Sequence, residues 1–151
     1  MAKLTGFPEN PYNAFTWVIG DPDIGEGCWI GAFITLDGSG GLRIGKGCDI
    51  SNNAQIMTHS SARRTVSARE FPDVERAPVE IGDHVFIGTS AVILMGSTIG
   101  SHSVVAAGAV VKQGSVFPPY SLIAGVPAVR KGDVRWTSDE GEGDGTGEAG
   151  G

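Results

Sequence analysis

From Val79 to Gly132 an apolar residue recurs every six positions, at Ile81, Ile87, Ile93, Ile99, Val105, Val111, Phe117 and Ile123. Four positions after each comes a small or short residue: Val85, Ala91, Ser97, Ser103, Ala109, Ser115, Ser121 and Pro127. Glycine follows the apolar position directly at Gly82, Gly88 and Gly100. Helices repeat at 3.6 residues and simple strands at 2, so neither accounts for a strict period of six. A short strand and a turn, repeated at fixed pitch, does. Such units stack into a solenoid with one continuous core.

The same grid runs earlier in the chain, through Ile24, Ile30 and Leu36 and then Ile44, Ile50 and Ile56. Its second slot holds Cys28 and Ile34, then Cys48, Ala54 and Ser60. The step from Leu36 to Ile44 is two residues too long, which places a bulge at Asp37 to Gly41. The step from Ile56 to Ile81 leaves room for a long excursion, SSARRTVSAREFPDVERAP, from Ser60 to Pro78. All fourteen grid positions are apolar in a chain that is 40% hydrophobic. Chance does not produce that.

These residues resemble the hexapeptide-repeat acyltransferases, whose [LIV]-G-x-x-x-x units wind a left-handed parallel β-helix with three flat faces. The resemblance covers Trp17 to Lys131. It rests most on IGDHVFIGTSAVILMGSTIG, on Ala106 to Val111 and on the closing IAGVPAVRKG. It implies an all-β solenoid with a left-handed hand, which ordinary parallel crossovers do not have. One domain over 1–136 is expected, with an N-terminal cap over 1–16, an extended loop over 60–78 and a disordered acidic, glycine-rich tail over 137–151.

Three hexapeptides make one coil, so residues eighteen apart stack. Cys28 and Cys48, twenty apart across the two-residue bulge, become inward neighbours about 4.8 Å apart. A bridge between them is sterically conceivable, and buried free thiols are the expected state in a reducing compartment. Residues just before the grid positions face outward. On the first face these are Asp23, Arg43, Glu80, Thr98 and Val116. On the second they are Trp29, Asp49, Phe86, Val104 and Leu122. The mostly apolar second column predicts a surface covered by another subunit, and the resemblance implies a homotrimer.

Charge adds little. The net charge is −6, but the segment from Thr137 onward carries five acids and no base, leaving twelve acids against eleven bases elsewhere. The low pI therefore indicates no partner. Nothing matches a basic nucleic-acid footprint, and no apolar run approaches a membrane span, so neither partner is expected. The N-terminus lacks the long apolar stretch of a signal peptide, which points to the cytoplasm.

Candidate chemistry rests on three histidines, His59, His84 and His102, each three residues after a grid position and so near a corner. His84 and His102 should stack as solvated corner residues. The family's catalytic histidine precedes the extended loop, in segments resembling Ile56 to Ser61. The resemblance therefore implies that His59 is the general base for a hydroxyl or amine attacking a thioester. Many relatives follow this histidine with Asp where this chain has Ser60, and no orienting carboxylate is evident. The resemblance also implies an acetyl-CoA site at Gly88, Thr89, Ala106, Ala107, Gly108 and Lys112, with Arg130 and Lys131 meeting the nucleotide phosphates. A slot for pantetheine suits Gly and Ala, because the incoming chain can approach the backbone closely.

The acceptor is expected to be a small-molecule sugar or sugar nucleotide. Arg63 and Arg64 point toward an anionic one, while Asn13 or Trp17 either borders its pocket or simply caps the first coil. Two other readings stay open. One is a γ-class carbonic anhydrase-like zinc enzyme, which shares the scaffold. Its close H-x-x-x-x-H pair is absent here, so no metal is expected. The other is a β-helix that serves only as a structural module.

Overall fold

The computed structural model describes residues 13–136; residues 1–12 of the expected N-terminal cap and the tail from Thr137 lie outside them. Short strands two to six residues long wind into three parallel sheets. The first sheet holds the strands ending at Ile24, Ile44, Ile81, Ile99 and Phe117. The second holds those ending at Ile30, Ile50, Ile87 and Val105, followed by Ser121–Gly125. The third holds Trp17–Ile19, Thr35–Asp37, Gln55–Ile56, Val92–Ile93 and Val110–Val111.

Register confirms the grid residue by residue. Ile24 pairs with Ile44, Ile44 with Ile81, and Ile81 with Ile99, so both insertions are absorbed without a slip. Twelve of the fourteen grid side chains are buried; Ile24 and Phe117 are half-buried because they close the two ends of the first sheet. A slip of one residue would have turned each inward side chain to solvent.

The small second slot has a physical reason. Ser97 donates to the carbonyls of Leu94 and Lys112, at 2.7 and 3.1 Å. Ser121 donates to Pro118 at 2.6 Å. The hydroxyls bond turn carbonyls of their own and the neighbouring coil. Cys28 and Cys48 stand in the same slot and do the same, donating to Gly45 and Gly82 at 3.1 Å each. They are neighbours as expected, since the Cys48 amide donates to the Cys28 sulfur at 3.4 Å, and both are free thiols. Burial pushes the Cys48 thiol up to about 11, which leaves it a packing element rather than a nucleophile.

The glycines after the grid positions are steric. A Cβ on Gly100 would lie 2.2 Å from the backbone nitrogen of Pro119 on the next coil, and one on Gly88 would lie 2.4 Å from that of Ala107. His84 and His102 do stack, with ring centroids 5.2 Å apart, and Tyr120 continues the column at 4.9 Å.

Two expectations need amending. Pro127 was expected in the second slot but is exposed, because the chain reverses after Gly125 and returns antiparallel as Ala128–Asp133; Ala128 is the residue buried there. The excursion after His59 is not all loop. His59–Ser60 pairs antiparallel with Glu75–Arg76 to form a neck, and Ala62–Val66 is a short helix with no buried residue. Among the described residues, no helix is long and apolar enough to cross a membrane.

Candidate functional site

The two extra residues at the corner after Leu36 place a carboxylate where the plain grid has none. Asp37 ends its strand on the outward parity, yet it is fully buried. The DGSGG corner folds over it. Its Oδ1 accepts the Ser39 amide at 3.0 Å, and its Oδ2 accepts the Thr58 amide at 2.8 Å. Its carbonyl accepts the Thr58 hydroxyl at 2.8 Å, and that hydroxyl in turn accepts the Gly40 amide at 2.8 Å. Gly40 is obligatory here, since a Cβ would sit 2.3 Å from the Thr58 carbonyl oxygen.

The remaining partner of Oδ2 is Nδ1 of His59, at 2.5 Å. The imidazole is one-third exposed. Burial alone would raise the Asp37 carboxyl, but the Ser39 side chain, the Thr58 and Ser39 amides and His59 outweigh it, and hold the group well below the usual carboxylate range. A buried carboxylate that stays ionised accepts, so Nδ1 of His59 donates to it, and in the neutral imidazole this tautomer leaves the lone pair on Nε2. That tautomer is the one a general base needs. Sequence reading identified His59 but missed Asp37, which looked like part of a corner insertion. The available signal was an acidic residue in a bulge one coil below the histidine.

His59 and Lys112 follow strands of the third sheet and so share one edge of the prism, and Lys112 is exposed. Gly88, Thr89, Ala106, Ala107 and Gly108 lie together on the edge between the second and third sheets, where the Gly108 amide donates to the Thr89 carbonyl at 2.9 Å. The third sheet therefore separates these two edges. Arg130 is engaged, donating to Ser121 at 3.1 Å and pairing with Asp133; Lys131 is exposed. Arg63 lies 4.0 Å over the Phe71 ring in the excursion, and Arg64 is half-buried beside it. Asn13 accepts the Phe15 amide at 2.9 Å and forms the turn into the first strand, while Trp17 is 51% exposed at its start. Among the described residues, no three His, Cys, Asp or Glu side chains are grouped to hold a metal.

Residues 78–113 match the family model for the bacterial transferase hexapeptide (six repeats). None of the curated protein sequences matches the chain. Among solved structures, the hexapeptide-repeat-containing acetyltransferase VCA0836 from Vibrio cholerae is 34% identical over 76% of this chain and 63% of its own, with a TM-score of 0.67. A point mutant of AntD, an N-acyltransferase from Bacillus cereus bound to dTDP and coenzyme A, is 21% identical over 80% of this chain and 68% of its own, with a TM-score of 0.69. A maltose O-acetyltransferase from Clostridium difficile 630 is 24% identical over 80% and 67%, with a TM-score of 0.62. At those identities the last two speak to the fold alone, and the chain spans about two thirds of the length of all three. The six-residue grid, the repeat match over residues 78–113 and the VCA0836 likeness agree on one architecture: the solenoid is a left-handed parallel β-helix of hexapeptide repeats, similar to that of hexapeptide-repeat acetyltransferases.

Proposed function

We propose that this protein is an acetyl-CoA-dependent acetyltransferase acting on a hydroxyl or amino group of a sugar or nucleotide-linked sugar. The observation that carries this is the buried, ionised Asp37 carboxylate 2.5 Å from Nδ1 of a partly exposed His59. A solvated corner histidine needs no such partner. A general base does, because the partner selects the tautomer and holds the ring.

In this reading Nε2 of His59 takes the proton from the acceptor as its oxygen or nitrogen attacks the thioester carbonyl. A backbone amide at the donor edge stabilises the oxyanion. The thiolate of coenzyme A leaves, so no protein nucleophile is required and transfer is direct, within a ternary complex. The donor's pantetheine lies along Gly88, Thr89, Ala106, Ala107 and Gly108, with Lys112, Arg130 and Lys131 toward its phosphates. VCA0836 has also been solved with acetyl coenzyme A, which supports a donor of this class. Arg63 and Arg64 suit the charge of a nucleotide-linked acceptor, and dTDP-4-amino-4,6-dideoxyglucose, with which AntD of the same fold has been solved, is one such sugar to test.

A neighbouring protomer supplies the other wall of the cleft. The second-face column of Trp29 and Phe86, 55% and 44% exposed in the single chain, with half-buried Val104 and Leu122, forms the contact of a trimer.

The test is His59→Ala, assayed by release of free thiol from acetyl-CoA in the presence of acceptor. General-base assistance is worth roughly 10²–10⁴-fold, so turnover should fall by that factor with coenzyme A binding retained. Near-normal turnover would sink the assignment. A covalent acetyl-protein trapped on the reaction path would contradict direct transfer.

A further inference from the structure

The face between the donor edge and the base has a built floor. Trp17, Thr35 and Gln55 lie side by side on the outward parity of three adjacent strands, in direct register. Two residues further along the middle strand is Asp37, which holds His59. At about 3.3 Å per residue the row lies about 7 Å from that carboxylate.

Three features of this floor suit a ring with hydroxyl groups. Trp17 presents an indole that is half exposed. Gln55 is anchored through Nε2, which donates to the carbonyls of Phe33 and Asn53 at 3.2 and 3.3 Å. With the nitrogen so engaged, the carboxamide oxygen is the atom of this group able to accept from a ligand. Phe33 is anomalous. It occupies a left-handed backbone position, φ +60, that the later coils fill with Asn53, Ser90 and Gly108. Asn and Gly are the residues that such backbone accommodates most readily, and a phenyl is strained there. The ring gains little burial in return: it is 64% exposed and touches Phe15, itself 41% exposed, at 5.4 Å. A strained, exposed aromatic beside an exposed indole and an oriented carboxamide is poorly explained by stability of the coil.

We propose that Trp17 and Phe33, with the Gln55 carboxamide oxygen, form the platform on which the acceptor's sugar ring lies while one of its hydroxyl or amino groups faces His59. The aromatic faces take the apolar C–H side of the ring, and Gln55 and Thr35 take its hydroxyls. The platform would therefore select for the ring and the two arginines of the excursion for any attached phosphate. This rests on the acetyltransferase reading above.

The test uses the full chain, acetyl-CoA, and a panel of glucose, glucosamine, maltose and dTDP-4-amino-4,6-dideoxyglucose, with Trp17→Ala, Trp17→Phe and Gln55→Ala. For any sugar accepted, Trp17→Ala should raise its KM at least tenfold and Gln55→Ala at least threefold. Trp17→Phe should restore most of the loss, and the KM for acetyl-CoA should move less than twofold throughout. Circular dichroism and sedimentation identify a variant that misfolds, in which case Gln55→Ala decides. Acceptor KM unchanged in folded Trp17→Ala and Gln55→Ala overturns the proposal. So does a shift of oligomeric state in Trp17→Ala with acceptor KM unchanged, which would make this surface a contact between copies. Coenzyme A binding with no sugar of the panel accepted overturns the platform but leaves the donor site standing. Failure to bind coenzyme A removes the underlying reading as well.

Discussion

Asp37 is a side chain whose parity says outward and whose surroundings make it buried. Its four hydrogen-bonding contacts come from residues 39, 58 and 59, so the corner insertion and the strand one coil above act as a single clamp. Asp37→Asn keeps the shape but removes the charge that keeps the proton on Nδ1. It should lower turnover roughly 10- to 1,000-fold, less than loss of His59 itself, with KM for acetyl-CoA little changed. A variant with full activity would reduce Asp37 to a structural role. The same group makes a stability statement. Its folded pKa is depressed, so its ionisation stabilises the fold fully above the unfolded value of about 3.9, and that contribution fades as pH falls toward the folded value. The stability gap between wild type and Asp37→Asn, measured by urea denaturation, should therefore be widest above pH 5 and close progressively below pH 4. A gap that stayed constant to pH 2 would show that the carboxylate is not selectively stabilised.

At the scale of the coil, the repeat works because each unit sets a distance to the next. The grid side chains fill the interior, the short second slot satisfies turn carbonyls, and glycine permits backbone to pass backbone. Gly100→Ala tests the last of these. Its Cβ would meet backbone atoms of Pro118 and Pro119 at 2.5 and 2.2 Å, none of which can rotate away. Overpacking of this kind typically costs about 1–3 kcal/mol, to be read as a lowered urea midpoint at unchanged slope. Unchanged stability would mean that the coils can separate locally without penalty. The excursion is the counter-case. Its helix buries nothing, and Val66 is 85% exposed, so its position depends on the neck at His59 and on whatever it meets beyond its own coil.

At the scale of the molecule, a triangular prism has three faces and a core wide enough for one layer of side chains. The second face is the one that exposes Trp29 and Phe86. If the proposed trimer forms through this face, introducing charge there, as Phe86→Asp or Trp29→Asp, should yield monomers by sedimentation equilibrium and lower turnover, while the coil keeps its far-ultraviolet signature. A wild-type protein that sediments as an active monomer would end the proposal of a shared cleft.

Much of this architecture was legible in the chain because the solenoid's order is local. Each side chain packs on residues a fixed number of positions away, so a period of six, a bulge of two and an excursion after Ile56 can be counted along the sequence. The stacked thiols of Cys28 and Cys48 and the imidazoles of His84 and His102 followed from the same counting. What counting could not deliver was the content of the interruptions. Pro127 left its slot because the chain reversed there. Asp37 turned inward because Thr58 and Ser39 offered donors that only the folded corner brings together. Periodicity encodes which residues share a face; the carboxylate that aims His59 depends on backbone groups from different coils meeting at one point, and only the tertiary structure decides that.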